Sequence, residues 1–133
     1  MKSPKNLSHK PILSVNNYDE IDAMYANETD VKALSIGKAQ YDNKQISLKV
    51  WRYSEEKWSR QSEELPIHRN LDLTILFLAA LSTDKKSKYS KSNLREVVDD
   101  EAELDLIKDF YLKNKHFILP RLNELYELLK EFV

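Results

Sequence analysis

The sequence predicts an α+β fold, in which a small antiparallel sheet packs against a buried central helix and a helical C-terminal part follows. Residues 46–53 alternate between apolar and polar side chains, as a half-buried strand does. Residues 66–82 are apolar on nearly every side, which is typical of a helix inside a core. From residue 94 onward the apolar residues recur at helical spacing, so strands come first and helices last.

Length and composition limit the possible functions. The chain has 133 residues, and we predict a flexible N-terminal arm over residues 1–10 and a single α+β domain over residues 11–133. It contains no cysteine, which excludes disulfides, a thiol nucleophile and cysteine-ligated metal. It has one glycine, so the glycine-rich phosphate loops of nucleotide-binding enzymes are excluded as well.

Charge and hydropathy suggest where the chain acts. The longest apolar run covers residues 75–81, whereas a membrane span needs about 20 residues. Residues 1–10 are basic and polar and are not followed by the apolar region of a signal peptide, so we expect a cytoplasmic protein with no membrane partner. The net charge of −1 creates no general attraction to phosphates, which disfavours a nucleic-acid partner.

The first half of the chain contains three predicted strands and one short helix. Residues 11–15 form a strand that begins at Pro11, and residues 18–26 form a helix capped by Asn17. Residues 31–41 allow two structures: a strand that turns back through residues 42–44, which we favour, or a helix. The strand over residues 46–53 then ends in a turn at residues 54–57.

The second half is predicted to be helical. In the helix over residues 66–82 we expect Leu71, Ile75 and Leu78 to face the core. A polar, mobile loop over residues 83–92 leads to a helix capped by Ser92. Pro120 either kinks that helix or begins another.

The unusual side chains are concentrated in residues 51–72. This stretch contains both tryptophans, three arginines and one histidine, at a predicted junction between a strand and a helix. Because a helix N-terminus presents free N–H groups, polar side chains at such a junction can line a site. The candidate ligand or partner residues are Trp51, Trp58, Arg60, Glu64, His68, Arg69 and Asp72.

Part of this stretch resembles a known sequence family. Residues 57–69 (KWSRQSEELPIHR), together with residues 33–37 (ALSIG) and residues 49–52 (KVWR), resemble a family of small uncharacterised bacterial proteins. The resemblance covers residues 10–82, and it does not extend to the helical part from residue 93. It implies a bacterial source but supplies no mechanism and no catalytic residue.

Three functions remain open at this point. The preferred one is a non-catalytic binding or regulatory module with a protein partner, or a homodimer, and with no cofactor or metal. The second is a small metal-dependent or hydrolase-like enzyme, since Glu64, His68 and Asp72 have the spacing of one helix face. The third is a weak single-stranded nucleic-acid binder, in which Trp51 and Tyr53 stack on bases beside Lys49 and Arg52.

Overall fold

The computed structural model describes residues 1–59 and 63–133. These residues form two compact units, Met1–Leu71 and Asp72–Val133. The fold is α+β, as predicted. Within the described residues it comprises a five-stranded antiparallel sheet and three α-helices, which are β1 (Lys10–Asn16), β2 (Val31–Lys38), β3 (Ile46–Ser54), β4 (Lys57–Trp58), β5 (Glu64–Pro66), α1 (Ile67–Leu81), α2 (Asp105–Lys113) and α3 (Lys115–Leu129).

The sheet follows the order β1-β2-β3-β4. The last residues of β3 pair with β4, and residues near the start of β3 pair with β5. The predicted strands at residues 11–15 and 46–53 are confirmed, and the hairpin is confirmed for residues 31–41. A bulge between Pro11 and Leu13 shifts the register of β1 against β2. Such a bulge suits a strand that begins with proline, because proline has no N–H for the ladder.

Residues 18–26 differ from the prediction, whereas the turn at residues 54–57 is confirmed. The prediction of a helix over residues 18–26 is wrong, since two short 3-10 turns occupy this stretch. Asn17, Ala23 and Asn27 have positive φ values of 57°, 48° and 66°, and left-handed residues interrupt an α-helix. The turn between β3 and β4 consists of Glu55 and Glu56, with φ values of 52° and 64°. Positive φ at both positions is the geometry of a type I′ hairpin.

The two faces of the sheet differ in chemistry. On the covered face lie the buried residues Val31, Ala33 and Ser35 of β2 and Ser47 and Trp51 of β3. The opposite face, which we call the open face, is apolar and only partly covered. It consists of Leu13, Val15, Leu34, Ile36, Leu48, Val50 and Leu65.

Residues 1–10, for which we predicted a flexible arm, pack in part against the covered face. Ser3, Pro4 and His9 are buried, and the Ser3 amide donates to Asn16 Oδ1 at 3.0 Å. His9 is 0% exposed, so this end of the segment is packed rather than loose. The reason is that the polar side chains of β2 and β3 supply hydrogen-bond partners for an imidazole. The division into one domain over residues 11–133 stays a prediction.

The helix predicted at residues 66–82 is present as α1, but the prediction that it is buried in the core is wrong. Leu71, Ile75 and Leu78 are 50%, 42% and 41% exposed, whereas Ala79 is buried. The ring of Trp51 is contacted edge to face by His9, which precedes β1. The apolar character of α1 therefore does not show which element closes the core of the sheet.

The C-terminal helices begin later than predicted. Residues 93–100 form no helix, since Arg95 has a φ of 59° and a left-handed residue interrupts an α-helix. The break between α2 and α3 falls at Asn114, whose side chain donates to the Phe110 carbonyl at 3.0 Å. Pro120 lies inside α3 and does not begin a helix. Within the described residues, no helix has the length and apolar character needed to cross a membrane.

Candidate functional site

The predicted site residues are distributed over three environments. Trp51 and Trp58 meet edge to face, with their ring centroids 5.8 Å apart. His68 and Arg69 are exposed at the start of α1, and Asp72 is half-buried in the same helix. Arg60 lies outside the described residues. The assignment of these residues to a ligand site stays a prediction.

The enzyme hypothesis required Glu64, His68 and Asp72 on one helix face. This arrangement is wrong for Glu64, because it lies on β5 and α1 begins only at Ile67. Strand pairing sets Glu64 opposite Lys49 of β3 instead. Within the described part of the chain, no group of three histidine, aspartate or glutamate side chains is arranged to hold a metal ion.

Glu64 contributes instead to a buried polar cluster on the covered face. We call it the His9 cluster, and its members are His9, Ser35, Ser47, Lys49, Trp51 and Glu64. Alternation along the strands produces it, since residues 35, 47, 49 and 51 all project from the same face of β2 and β3. Trp51 is 1% exposed, and its ring lies edge to face with His9 at 5.7 Å.

The imidazole of His9 bridges two strands. His9 Nδ1 lies 3.0 Å from Ser47 Oγ on β3, and His9 Nε2 lies 3.0 Å from Ser35 Oγ on β2. The indole N–H of Trp51 donates to the same Ser35 Oγ at 2.8 Å. Burial lowers the pKa of His9, an effect that Glu64 opposes and Lys49 reinforces. A neutral imidazole therefore occupies this position near neutral pH.

The carboxylate of Glu64 borders the cluster. Its Oε2 accepts a hydrogen bond from the backbone N–H of Gln40 at 3.0 Å. Its Oε1 lies 3.5 Å from His9 Nδ1 and 3.6 Å from Lys49 Nζ. Oε1 is buried and accepts no hydrogen bond from any described residue. The ammonium of Lys49 also lies 4.7 Å from the centre of the Trp51 ring.

The His9 cluster has the order of an acid, a histidine and a serine, which is also the order of a hydrolase triad. A nucleophilic serine must be reached by its substrate, yet Ser35 is buried and its oxygen already accepts the Trp51 N–H. The histidine is enclosed as well. This geometry can hold the segment before β1 to the sheet, and it offers no surface on which a carbonyl group could be attacked.

The nucleic-acid hypothesis depended on exposed aromatic and basic side chains on β3. Trp51 is buried, and Tyr53 packs against Trp58 at 5.1 Å, so neither ring forms the expected platform with the other. The Arg52 guanidinium donates to Glu63 at 2.9 Å and to Asp30 at 2.6 Å. These contacts leave the cations of β3 paired with acids, and the platform interpretation is therefore wrong.

Arg52, Asp30 and Glu63 form an ion-pair group at one end of the open face. The hydrogen bonds that Arg52 donates to Glu63 and Asp30 raise the pKa of Arg52. Burial raises the pKa of Glu63, but hydrogen bonds from Arg52 and from the backbone outweigh it, and the pKa lies below its ordinary value. Glu63 therefore stays charged at neutral pH.

The open face is organised as two cross-strand rows of apolar side chains. The strand register gives one row of Leu13, Ile36, Leu48 and Leu65 and a second row of Val15, Leu34 and Val50. These side chains line a shallow cleft of about 540 Å³, which Glu63 and Asn70 border. An apolar cleft with a few polar groups at its rim is the usual form of a binding site.

Sequence pattern alone does not mark His9, Ser35 or Ser47 as functional candidates. His9 stood in a polar arm, and its partners Ser35 and Ser47 are 26 and 38 residues away. The available signal was the alternation of Ser47, Lys49 and Trp51, which predicts a face with polar groups that need partners.

Comparison with known families gives one result. Residues 1–99 match the model of a family of unknown function, DUF6530. The chain belongs to the DUF6530 family. The match includes the whole sheet, the His9 cluster and α1, and it ends before α2. No curated protein and no solved structure matches the chain significantly. Membership in DUF6530 therefore assigns a family and no activity.

Proposed function

We propose that this chain is a non-catalytic binding module of the bacterial cytoplasm, and that its open face holds an amphipathic helix of a partner protein. The observation that carries the proposal is the pair of apolar rows that crosses β1, β2, β3 and β5. Exposed apolar side chains are common one at a time, whereas a contiguous set is typical of an interaction site.

The dimensions of the open face favour a helix as the occupant. Four neighbouring strands span about 14 Å, because strands in a sheet lie about 4.8 Å apart. The two rows lie two residues apart along each strand, which is about 7 Å, and a helix with its side chains is about 10–12 Å wide. One helix that lies along the rows therefore covers both. A second copy of the chain would need about 800 Å² on each partner for a stable dimer, which is more than two short rows provide.

The chemistry of the remaining side chains also favours binding over catalysis. His9 and Ser35 are enclosed in the His9 cluster, and Arg52 is paired with Asp30 and Glu63. Catalytic groups are held within reach of a substrate, whereas these groups contact one another. The open face instead offers apolar contact area, which is the main source of affinity for an amphipathic helix.

Fluorescence anisotropy with a labelled synthetic helix tests the proposal. The probe peptide carries leucines at positions i, i+3, i+4 and i+7, and its partner probe has the same composition in scrambled order. We expect the amphipathic probe to bind at least about tenfold more tightly, because only this peptide presents all its leucines to one surface. Ile36→Ser and Leu48→Ser should each weaken binding of the amphipathic probe by about tenfold or more.

Ile12→Ser is the matched control, because Ile12 is an exposed residue of β1 that does not line the cleft. It should leave the affinity unchanged, and circular dichroism should show that all three variants are folded. Equal binding of the two probes, or an equal loss in Ile12→Ser, overturns the proposal. Dimerisation of the parent chain that disappears in Ile36→Ser would assign the open face to a second copy instead.

A further inference from the structure

A second inference concerns the opposite side of the sheet and is independent of helix binding. Residues 1–9, which we call the N-terminal strap, contact the covered face and the end of β1. The backbone N–H of Asn17 donates to the Met1 carbonyl at 2.9 Å, and Ser3 is tied to Asn16. At the other end of the strap, His9 inserts between Ser35, Ser47 and Trp51.

The hydrogen bonds around His9 suit a neutral imidazole. The Trp51 N–H can only donate, so it occupies one lone pair of Ser35 Oγ and leaves the Ser35 hydroxyl hydrogen available for His9 Nε2. His9 Nδ1–H then donates to Ser47 Oγ, which assigns the tautomer from its partners. Every polar atom of the ring has a partner in this arrangement.

An imidazolium does not fit the same partners. Both ring nitrogens then donate, so Ser35 Oγ faces two donors, and its own hydrogen must find another acceptor in a buried site. The charged groups that face the ring are Glu64 of β5, which favours the imidazolium, and Lys49 of β3, which opposes it. Lys49 also contacts Glu64 Oε1, so this carboxylate is shared between the two cations.

We propose that His9 is a proton-sensitive latch: protonation of its imidazole releases the N-terminal strap and exposes the face of the sheet that carries Trp51. The strap is closed while His9 is neutral and hydrogen-bonded to Ser35 and Ser47. It opens when the imidazole takes up a proton, because the charged ring is better solvated by water than by two hydroxyls and a shared carboxylate.

The direction of the pH dependence follows from linkage. Burial lowers the pKa of His9 in the closed state below its ordinary value of 6.5. The open strap therefore binds the proton at a higher pH than the closed strap does. The closed state keeps its full stability above pH 6.5 and loses it as the pH falls from 6.5 toward the lowered pKa.

Acrylamide quenching of Trp51 measures the opening. Trp58→Phe leaves Trp51 as the one tryptophan of the chain, and circular dichroism reports whether the sheet stays folded. Between about pH 7.5 and about pH 5, we expect the quenching constant of Trp51 to rise by about threefold or more. Adding His9→Gln should abolish this rise, because an amide does not titrate in this range.

His68→Gln is the matched control, since His68 is an exposed histidine on α1. It should leave the pH response intact. Should His9→Gln fail to fold, Lys49→Met tests the same latch without altering the ring. Removing the cation favours the imidazolium within the closed state and so raises the pKa of His9 there, and the midpoint of opening should therefore move to lower pH.

Four results would overturn the latch. The first is a quenching constant that does not change with pH in the Trp58→Phe parent. The second is a response that persists in His9→Gln or disappears in His68→Gln. The third is an unchanged midpoint in Lys49→Met. A pH response that coincides with loss of the circular dichroism signal also counts against it, since the opening would then be global unfolding.

Discussion

The carbonyl oxygen of Lys10 occupies the space that a side chain on Gly37 would need. A Cβ atom on Gly37 would lie 2.0 Å from this oxygen and 2.8 Å from the Lys10 carbonyl carbon. Both are backbone atoms of the first strand, so a rotamer change cannot relieve the overlap. The single glycine of the sequence thus allows β1 to lie against β2 at the point where Pro11 starts its bulge.

Gly37→Ala should destabilise the protein by about 3 kcal/mol, because β1 must move away from β2 to admit the methyl group. The midpoint of urea unfolding, monitored by circular dichroism, measures the change. Lys38→Ala is the control, since Lys38 is exposed and adjacent in β2. A Gly37→Ala midpoint as high as that of Lys38→Ala would show that the two strands are not so close.

Ser35→Ala should cost about 1–3 kcal/mol, since the Trp51 N–H and His9 Nε2 both lose a buried partner. Urea midpoints again provide the measurement, and Ser54→Ala is the exposed control. Combining Ser35→Ala with Ser47→Ala should be non-additive by about 0.5 kcal/mol or more, because both serines hold one imidazole. Strict additivity would contradict a connected His9 cluster.

Glu56→Gly should stabilise the protein by about 1 kcal/mol. Glu56 has a φ of 64°, a conformation that costs an L-residue about 1–2 kcal/mol and a glycine almost nothing. Thermal unfolding measures the gain, and Glu28→Gly, at a residue without positive φ, should show none. A lower melting temperature for Glu56→Gly would argue against the type I′ turn.

Arg52→Lys should lower stability by about 0.5–1 kcal/mol at low salt and by less at high salt, because one ammonium cannot replace the forked contacts to Glu63 and Asp30. Since the pKa of Glu63 is lowered, this stabilisation is present above its ordinary value of 4.5 and is lost as the pH falls through the lowered value. Arg69→Lys, at an exposed site, is the comparison. Unfolding midpoints for both variants at two salt concentrations would detect the difference, and equal midpoints would contradict it.

Local pattern explains which parts of the fold were predictable. Period-two alternation identified β3 correctly, and the same pattern made the β2 hairpin the better alternative. The absence of an α-helix at residues 18–26 was not predictable in this way, because the left-handed conformation of Ala23 has no signal in composition. The helix predicted after Ser92 does not form because Arg95 is left-handed, and composition does not signal that conformation either.

The candidate site was predictable only where its members are close in sequence. Trp51 and Trp58 are in contact, since a short turn joins the strands that carry them, but their assignment to a site stays a prediction. Glu64 was assigned to the wrong element, because spacing alone cannot place the start of α1. His9 could not be connected with Ser47, since nothing local to either residue specifies a partner 38 positions away.

The distance along the chain between His9 and its partners has a consequence for the order of folding. The β2–β3 hairpin closes through a short loop, whereas His9 must find Ser47 across 38 residues. Because closing a longer loop costs more chain entropy, the hairpin is expected to form in the transition state and the His9 contacts after it. Substitutions in the hairpin should then slow folding, and substitutions at His9 should mainly accelerate unfolding. His9, which leaves the ribosome before the hairpin does, would reach its native position after it.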